Sequence, residues 1–273
     1  MRPSIKNISK KLFTYLTSFL IGSIILSSCK KDFLNDPKPT DQVSTKDVFA
    51  SADGVRAYFN GIYRNIRAQW QSLDGSAGGR DDVYSLIAIN MTRVAKGADI
   101  VMAFPTFFIY DYQYMNREPS YKRTLFTWEF PYENINQFNI LIKGVEESAA
   151  LSGDDKKLFT AEAKALRAWF YFELIREFQL SINKDPNAPG VPIYTEPTSI
   201  ENKGKPRGII KETYGQINSD IEYATQNIGD ARSLKAQVNS NVAWGMAARI
   251  YLEQGRWADA ENAAQKARTG LAL

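Results

Sequence analysis

The segment of residues 154–178, DDKKLFTAEAKALRAWFYFELIREF, constrains the fold of this chain more than any other. It carries two adjacent stripes of apolar side chains, both with the alternating spacing of three and four residues that is typical of an α-helix. One stripe consists of Leu158, Ala161, Ala165, Ala168, Phe172 and Ile175, and the other of Phe159, Ala163, Leu166, Phe170 and Leu174. Because two stripes make an apolar face too wide for one neighbour, we expect this helix to be packed on at least two sides, with Ser152 or Asp154 capping its start. The segment therefore predicts the central helix of an all-helical layer.

Histidine is absent from the 273 residues and cysteine occurs once. This composition excludes Ser-His-Asp and Cys-His catalysis, HExxH zinc sites, CxxC redox pairs and any internal disulfide. We therefore expect neither a metal nor another cofactor.

The net charge of +4 comes from the first 28 residues, which contain Arg2, Lys6, Lys10 and Lys11 and no acid. Without these four, the chain has 30 basic and 30 acidic residues. A neutral body with interspersed charges gives no electrostatic reason to expect a nucleic acid as partner.

The amino terminus has the pattern of a secretory signal. The basic start is followed by an uncharged, largely apolar run at residues 12–26 and then by Leu26-Ser27-Ser28-Cys29. The run is short for a membrane-spanning helix, which needs about 20 apolar residues. Leu-Ser-Ser-Cys resembles the lipobox of bacterial lipoproteins; the alternative is an ordinary secreted protein with a chance cysteine. We predict a signal peptide at residues 1–28, lipidation at Cys29 and an extended tether at residues 29–43.

Apolar periodicity and turn residues divide the rest of the chain into helices and loops. The predicted helices are 44–69, 83–93, 134–148, 154–178 and 209–228, and the predicted loops are 70–82, 97–130 and 180–205. In the first helix Gly54 and Gly61 lower the helix propensity, which indicates either close helix contacts or a break near Ser51.

The last thirty residues carry the spacing of a tetratricopeptide repeat, in which two antiparallel helices touch through small side chains. The residues that fit this pattern are Trp244, Ala247, Ala248, Tyr251, Gly255, Ala260, Ala264 and Ala267. The alternative is an unrelated alanine-rich hairpin.

Two of the loops contain the candidate site. The glycine-rich loop 70–82 lacks the GxxxxGK[ST] pattern of a phosphate-binding loop, so we interpret it as a surface loop. Loop 97–130 is dense in aromatic residues, which can form a stacking surface for a ligand or pin the loop onto the helical core. Tyr110, Tyr112 and Tyr114 alternate, which suits an extended segment with three rings on one side.

The predicted ligand-binding residues are Trp70, Arg80, Asp81, Tyr110 and Tyr112. The three rings would stack on the ligand, Arg80 would donate hydrogen bonds and Asp81 would accept them. These residues are chosen for their positions in loops.

Several motifs together resemble the SusD/RagB-like family of outer-membrane nutrient-binding lipoproteins. They are Phe49, Asp53, Ala57, Gly61 and Tyr63 in the first helix, Trp128, Tyr132, Ile135, Asn139 and Ile142 in a W-x3-Y-x2-I-x3-N-x2-I pattern, Glu162, Ala163, Leu166, Arg167, Ala168, Tyr171 and Phe172 in an AEA-x-x-LRA-x-x-YF pattern, Gly190-Val191-Pro192, and Tyr214, Ile217, Asp220 and Ala224.

This resemblance implies a mainly α fold, a tetratricopeptide-like helical repeat scaffold with long loop-rich insertions. It makes residues 44–273 the amino-terminal helical domain, with the chain stopping about where family members continue into a second region. Residues 178–189 are an insertion relative to the family pattern. Family motifs are scaffold residues, so Glu162 and Arg167 are interpreted as buried partners and not as a catalytic pair.

The resemblance also implies a function at the bacterial surface. A lipid-anchored protein of this kind captures an oligosaccharide or peptide, passes it to a SusC-like TonB-dependent transporter in the outer membrane, and performs no chemistry on it. Two alternatives are a surface glycoside hydrolase, which needs two carboxyl groups across a cleft, and a repeat scaffold with no small ligand.

Overall fold

The computed structural model describes residues 45–70, 80–104 and 106–269. The predicted signal peptide, Cys29 and the tether lie outside these residues. The described part of the chain forms nine α-helices and no β-strand, which confirms the mainly α fold class. The helices are α1 Thr45–Val48, α2 Ala52–Ile66, α3 Ser85–Ala95, α4 Ile109–Tyr112, α5 Lys122–Glu147, α6 Gly153–Phe178, α7 Ile210–Asn227, α8 Ser240–Glu253 and α9 Trp257–Arg268.

Helix α6 is the predicted central helix, and it packs against both α5 and α7. Every residue at positions 159–175 except Lys164 is buried, so the two apolar stripes are covered as expected. Fully burying a side chain such as Phe170 contributes about 1.5–3 kcal/mol. The helix starts where the sequence predicts because the Ser152 hydroxyl accepts a hydrogen bond from the Asp155 N–H at 3.1 Å.

Helices α8 and α9 form the predicted helical hairpin. Gly255 turns the chain between them with a φ of 71°, in the left-handed region that glycine adopts without strain. Ala247 of α8 and Ala260 and Ala263 of α9 are buried. The prediction that Ala264 lies on the buried face of α9 is wrong, because Ala264 is exposed and the preceding Ala263 is buried instead.

The first predicted helix is divided by the break expected near Ser51. The Ser51 hydroxyl accepts a hydrogen bond from the Gly54 N–H at 3.1 Å and so starts α2. Phe49 lies in the break and is buried. Phe49 therefore anchors the connection between α1 and α2 to the core.

Helix α5 begins at Lys122, twelve residues before the predicted start at residue 134. A proline inside a helix removes a backbone hydrogen bond and so disfavours a helix that runs through it. In the structure Pro131 lies within α5, and the helix continues because Phe126 and Phe130 before it are completely buried. Tertiary packing outweighs the local preference of the proline.

The extended segment predicted for Tyr110, Tyr112 and Tyr114 is wrong. Residues Ile109–Tyr112 form a helical turn, and Tyr114 follows it with a φ of 58°. The turn is oriented by the residue between the rings, because the Asp111 carboxylate faces inward, 3.8 Å from Lys96 Nζ and 3.6 Å from Arg123 Nε.

Three charged side chains of α6 lie in the interior, and each has a partner of opposite charge. Glu162 pairs with Arg56 at 2.7 Å, Arg167 with Asp220 at 2.7 Å, and Glu173 with Arg93. Glu162 and Arg167 are thus buried as predicted, but each is paired with a residue of another helix.

None of the helices in the described residues is long and apolar enough to cross a membrane.

Candidate functional site

A cleft of about 480 Å³ lies between α5 and the segment that follows α6. We call it the aromatic cleft. Its described lining residues are Trp128, Glu129, Tyr132, Glu133, Ile135, Asn136, Pro192, Tyr194, Thr198, Ser199, Asn202, Lys203 and Gly204. Three of the side chains are aromatic, and they alternate with carboxylates, amides and hydroxyls.

One wall of the cleft is a single face of α5. Trp128, Tyr132 and Asn136 recur every four residues, and Glu129 and Glu133 form the adjacent stripe with the same step, so all five lie along one side of the helix. The Trp128 and Tyr132 rings are 5.2 Å apart between centroids and tilted by 56°.

The opposite wall is the 192–205 segment, which carries Tyr194. Its ring meets the Tyr132 ring edge to face at 5.9 Å, which joins the two walls. The Tyr171 hydroxyl of α6 holds both the N–H and the carbonyl group of Tyr194. The Tyr194 N–H donates to the Tyr171 hydroxyl at 2.7 Å, and this hydroxyl donates to the Tyr194 carbonyl at 2.8 Å.

A buried polar network fixes the same segment further along. The Asn139 amide donates to the carbonyl oxygens of Tyr194 and Glu196, both at 3.0 Å. Arg167 donates to the Asn139 side-chain oxygen at 2.8 Å and to the Thr195 carbonyl at 3.3 Å.

Arg167 is itself held by a two-pronged ion pair. Its Nε and Nη2 atoms each lie 2.7 Å from one carboxylate oxygen of Asp220 on α7. Asp220 is completely buried and Arg167 nearly so. Buried charge pairs of this geometry are well suited to fix a unique arrangement, and here they fix one wall of the cleft.

Glu133 is a half-buried acid of the cleft, and its carboxylate has a defined hydrogen-bond partner. The Trp70 indole N–H lies 3.3 Å and 3.1 Å from its two carboxylate oxygens. Burial raises the pKa of Glu133, the Trp70 hydrogen bond lowers it, and the neighbouring Glu129 raises it further. The carboxylate is thus a shielded hydrogen-bond acceptor at the floor of an aromatic site.

Trp70, one of the five residues predicted to bind ligand, lies in the interior. Its side chain is only 4% exposed, and its ring packs 5.5 Å from that of Phe126. The stacking role predicted for Trp70 is therefore wrong in this arrangement, because no face of the ring is open. Its N–H contributes to the aromatic cleft indirectly, through Glu133.

Arg80 and Tyr110 both contact Tyr121. Arg80 donates to both carboxylate oxygens of the buried Asp82, at 2.9 Å and 2.6 Å, and to the Tyr121 hydroxyl at 2.9 Å. Tyr110 packs edge to face on Tyr121 at 5.9 Å. The Nε and Nη2 donors of Arg80 are thus engaged with neighbouring protein groups, Asp82 and Tyr121.

The remaining two predicted residues, Asp81 and Tyr112, are exposed and half-buried, respectively. Their role in ligand binding, like that of Arg80 and Tyr110, stays a prediction. The described residues contain no cluster of three or more acidic, cysteine or histidine side chains that could hold a metal ion.

Sequence reasoning missed the aromatic cleft although it identified some of its residues as scaffold. Trp128 and Tyr132 fit a family helix pattern, and Tyr194 stands in a proline-rich loop. The available signal was the shared four-residue step of rings and carboxylates at positions 128–136, which becomes a helix face only once α5 is known to start at Lys122.

Comparisons with known proteins agree with this architecture. The SusD-like family model, described as starch-binding and associating with the outer membrane, matches residues 101–252. A comparison with curated protein sequences gives no match.

Solved structures show the same fold. A SusD-like carbohydrate-binding protein from Bacteroides vulgatus is 23% identical with a TM-score of 0.71, over 82% of this chain and 46% of that one. A SusD superfamily protein from Bacteroides fragilis is 22% identical with a TM-score of 0.70, over 83% and 51%. A laminarin-binding SusD-like protein is 20% identical with a TM-score of 0.59, over 80% and 43%.

This chain therefore spans about half the length of the solved structures that it matches. The family model covers more than half of the 273 residues, and it includes both walls of the aromatic cleft and the buried network beneath them. On this evidence the chain belongs to the SusD-like family.

Proposed function

We propose that this protein is a surface-exposed outer-membrane lipoprotein, anchored through Cys29, that captures oligosaccharides and passes them to a SusC-like TonB-dependent transporter. Support comes from the family membership, from the basic, apolar and Leu-Ser-Ser-Cys sequence at the amino terminus, and from similar structures described as carbohydrate-binding and laminarin-binding. A peptide ligand is the alternative within the same role.

The observation that carries the proposal is the composition of the aromatic cleft on a fixed frame. Aromatic side chains offer large apolar surfaces of defined orientation against which the C–H faces of a sugar can lie. Carboxylate and amide side chains between the rings accept and donate hydrogen bonds with sugar hydroxyls. Ligand sites have this pattern of an apolar lining with a few fixed polar groups.

The same geometry supports binding without catalysis. Glu129 and Glu133 are one helical turn apart on the same wall, whereas glycosidases place two carboxyl groups on either side of the scissile bond, about 5–10 Å apart. The wall formed by the 192–205 segment contributes to the described lining hydroxyls, an amide and Lys203, and no carboxylate.

Calorimetry with the purified chain and a panel of neutral oligosaccharides tests this proposal. We expect saturable binding without product formation, and at least a tenfold loss of affinity in Trp128→Ala. Asn202→Ala provides a second variant on the exposed wall that leaves the helical core intact. Trp257→Ala is the matched control, because Trp257 is 68% exposed on α9 and should leave affinity unchanged.

Each outcome separates the hypotheses. Product formation that disappears in Glu133→Gln would favour a hydrolase. Copurification with a transporter but no affinity for any saccharide or peptide would favour a scaffold. Equal losses in the Trp128 and Trp257 variants would show that the aromatic cleft is not the site.

A further inference from the structure

Most polar groups of the aromatic cleft are already used to hold its walls together. The two side-chain atoms of Asn136 bond the Thr198 backbone, with Oδ1 accepting from the Thr198 N–H at 2.8 Å and Nδ2 donating to the Thr198 carbonyl at 3.4 Å. The Tyr132 hydroxyl donates to the Pro192 carbonyl at 2.8 Å. A ligand that bonded these groups would compete with the frame of the site.

Glu133 differs from these groups because it retains acceptor capacity. An ionised carboxylate has about four acceptor positions, and here the Trp70 indole supplies a single N–H. Glu133 is therefore positioned to accept hydrogen bonds from ligand hydroxyls.

The described residues in and around the cleft carry charges of both signs. Among the described lining residues, Glu129 and Glu133 are acidic and Lys203 is basic. Two further cations lie over ring faces at the margin, Arg207 at 5.2 Å from the Trp128 centroid and Lys205 at 5.2 Å from that of Tyr194. Arg207 and Lys205 are exposed, so water screens them more than it screens Glu133.

Trp70 fixes the position of the Glu133 carboxylate. Its ring is buried and packed on Phe126, so its N–H has little freedom to move away from the two carboxylate oxygens. Lys122 Nζ lies 5.3 Å from the Trp70 centroid, on the same part of α5. Trp70 is thus a positioning residue that acts through Glu133.

We propose that Glu133, held by Trp70, makes the aromatic cleft selective for neutral sugars. It accepts hydrogen bonds from sugar hydroxyls and repels sugars that carry a carboxylate or sulfate, since like charges brought together without water are strongly unfavourable. This inference rests on the proposed function and adds the charge class of the ligand and the residues that set it.

The test compares each neutral glucan with its own acidic derivative. Maltohexaose and laminarihexaose are titrated into the purified chain at neutral pH and low salt, alongside the same oligosaccharides with the C6 hydroxyls oxidised to carboxylates. We expect the neutral member of a pair to bind at least tenfold more tightly. The ratio should fall in Glu133→Gln, which removes the charge, and in Trp70→Phe, which keeps the buried ring but removes the N–H.

Two matched controls should keep the wild-type ratio. Glu147→Gln makes the same charge change on α5, fourteen residues from Glu133 and with a side chain that is 69% exposed. Trp244→Phe makes the same ring change on α8, where Lys266 lies over the indole. A purely structural effect of the Trp70 change would lower both affinities equally and leave their ratio unmoved.

Three results would overturn the inference. Equal affinity of the protein for the oxidised and the neutral oligosaccharides would refute the selectivity while leaving the proposed function intact. An unchanged ratio in Glu133→Gln would assign the selectivity elsewhere. Absence of binding by every neutral and oxidised oligosaccharide would overturn the proposed function itself.

Discussion

Neutralising Asp220 should both destabilise the protein and loosen one wall of the aromatic cleft. The side chains of Arg167 and Asp220 are 5% and 1% exposed, and two charge-assisted hydrogen bonds of 2.7 Å join them. Asp220→Asn leaves the Arg167 charge in the interior without a counterion. Breaking a buried pair in this way costs about 3–5 kcal/mol.

The expected change in melting temperature follows from the size of the domain. For 150–250 residues, 1 kcal/mol shifts Tm by roughly 2–4 °C, so Asp220→Asn should melt roughly 6–20 °C below the wild type. Urea denaturation with a shared slope gives the free energy directly. Asp259→Asn is the control. The Asp259 side chain is 53% exposed, so its 2.8 Å ion pair with Arg256 should contribute no more than about 1 kcal/mol to the free energy of unfolding.

A double variant separates stability from positioning. Arg167→Met with Asp220→Leu removes both charges and should recover most of the lost stability, because an apolar pair can replace a buried ion pair. It should not recover glycan affinity, because methionine cannot donate to the Thr195 carbonyl or to Asn139. An Asp220→Asn protein that melts within 2 °C of the wild type would refute the reasoning.

Three further predictions concern packing, ionisation and anchoring. Gly144→Ala should destabilise the protein by about 1–3 kcal/mol, because the new methyl would overlap the buried Phe49 ring. Gly215→Ala has open space in α7 and should stabilise the protein by up to about 1 kcal/mol. Chemical denaturation of both variants checks that the two changes in unfolding free energy have opposite signs. Burial raises the pKa of Glu133, so the folded protein binds a proton there more tightly than the unfolded chain does. The wild type should therefore gain stability relative to Glu133→Gln as the pH falls from neutral towards the ordinary carboxyl range, and lose that stability as the pH rises through the raised pKa. A difference in unfolding free energy that does not vary with pH would contradict the burial of this acid. Cys29→Ser should abolish incorporation of labelled palmitate and release the protein from the outer-membrane fraction, and retained labelling would place the lipid elsewhere.

Elements with long, uninterrupted patterns were predictable from the sequence. Helix α6 starts within one residue of its predicted start because a wide apolar pattern and the capping residue Ser152 agree. The hairpin of α8 and α9 was predictable because small residues and Gly255 recur at the spacing that close helix contact requires.

Elements set by distant partners were not predictable. The start of α5 depends on burial of Phe126 and Phe130, which outweighs Pro131, and the turn of α4 depends on Asp111 meeting cations from other helices. The four-residue step of the rings in α5 is visible in the sequence, but the partners that decide whether these residues are buried lie elsewhere in the chain.

The candidate site was the least predictable part for the same reason. The aromatic cleft joins Trp128 and Tyr194, which are far apart in the chain, and its frame comes from residues that match family scaffold motifs. Trp70 was predicted to stack on the ligand, but its ring is buried and its N–H bonds Glu133, 63 positions later, a contact that the local sequence does not reveal.

The antiparallel bridge between Pro189 and Ile209 has a consequence for how this region can change in evolution. It is reinforced by the Gly190 N–H, which donates to the Gly208 carbonyl at 2.6 Å, and it closes a loop that contains the segment with Tyr194. Residues 179–185 precede the paired backbone, because the carbonyls of Pro186 and Ala188 accept from the Lys211 and Ile210 N–H groups, so length changes at 179–185 fall outside this closed loop. Insertions there should therefore leave the register of the 192–205 wall of the aromatic cleft unchanged, because the paired backbone lies between the two segments.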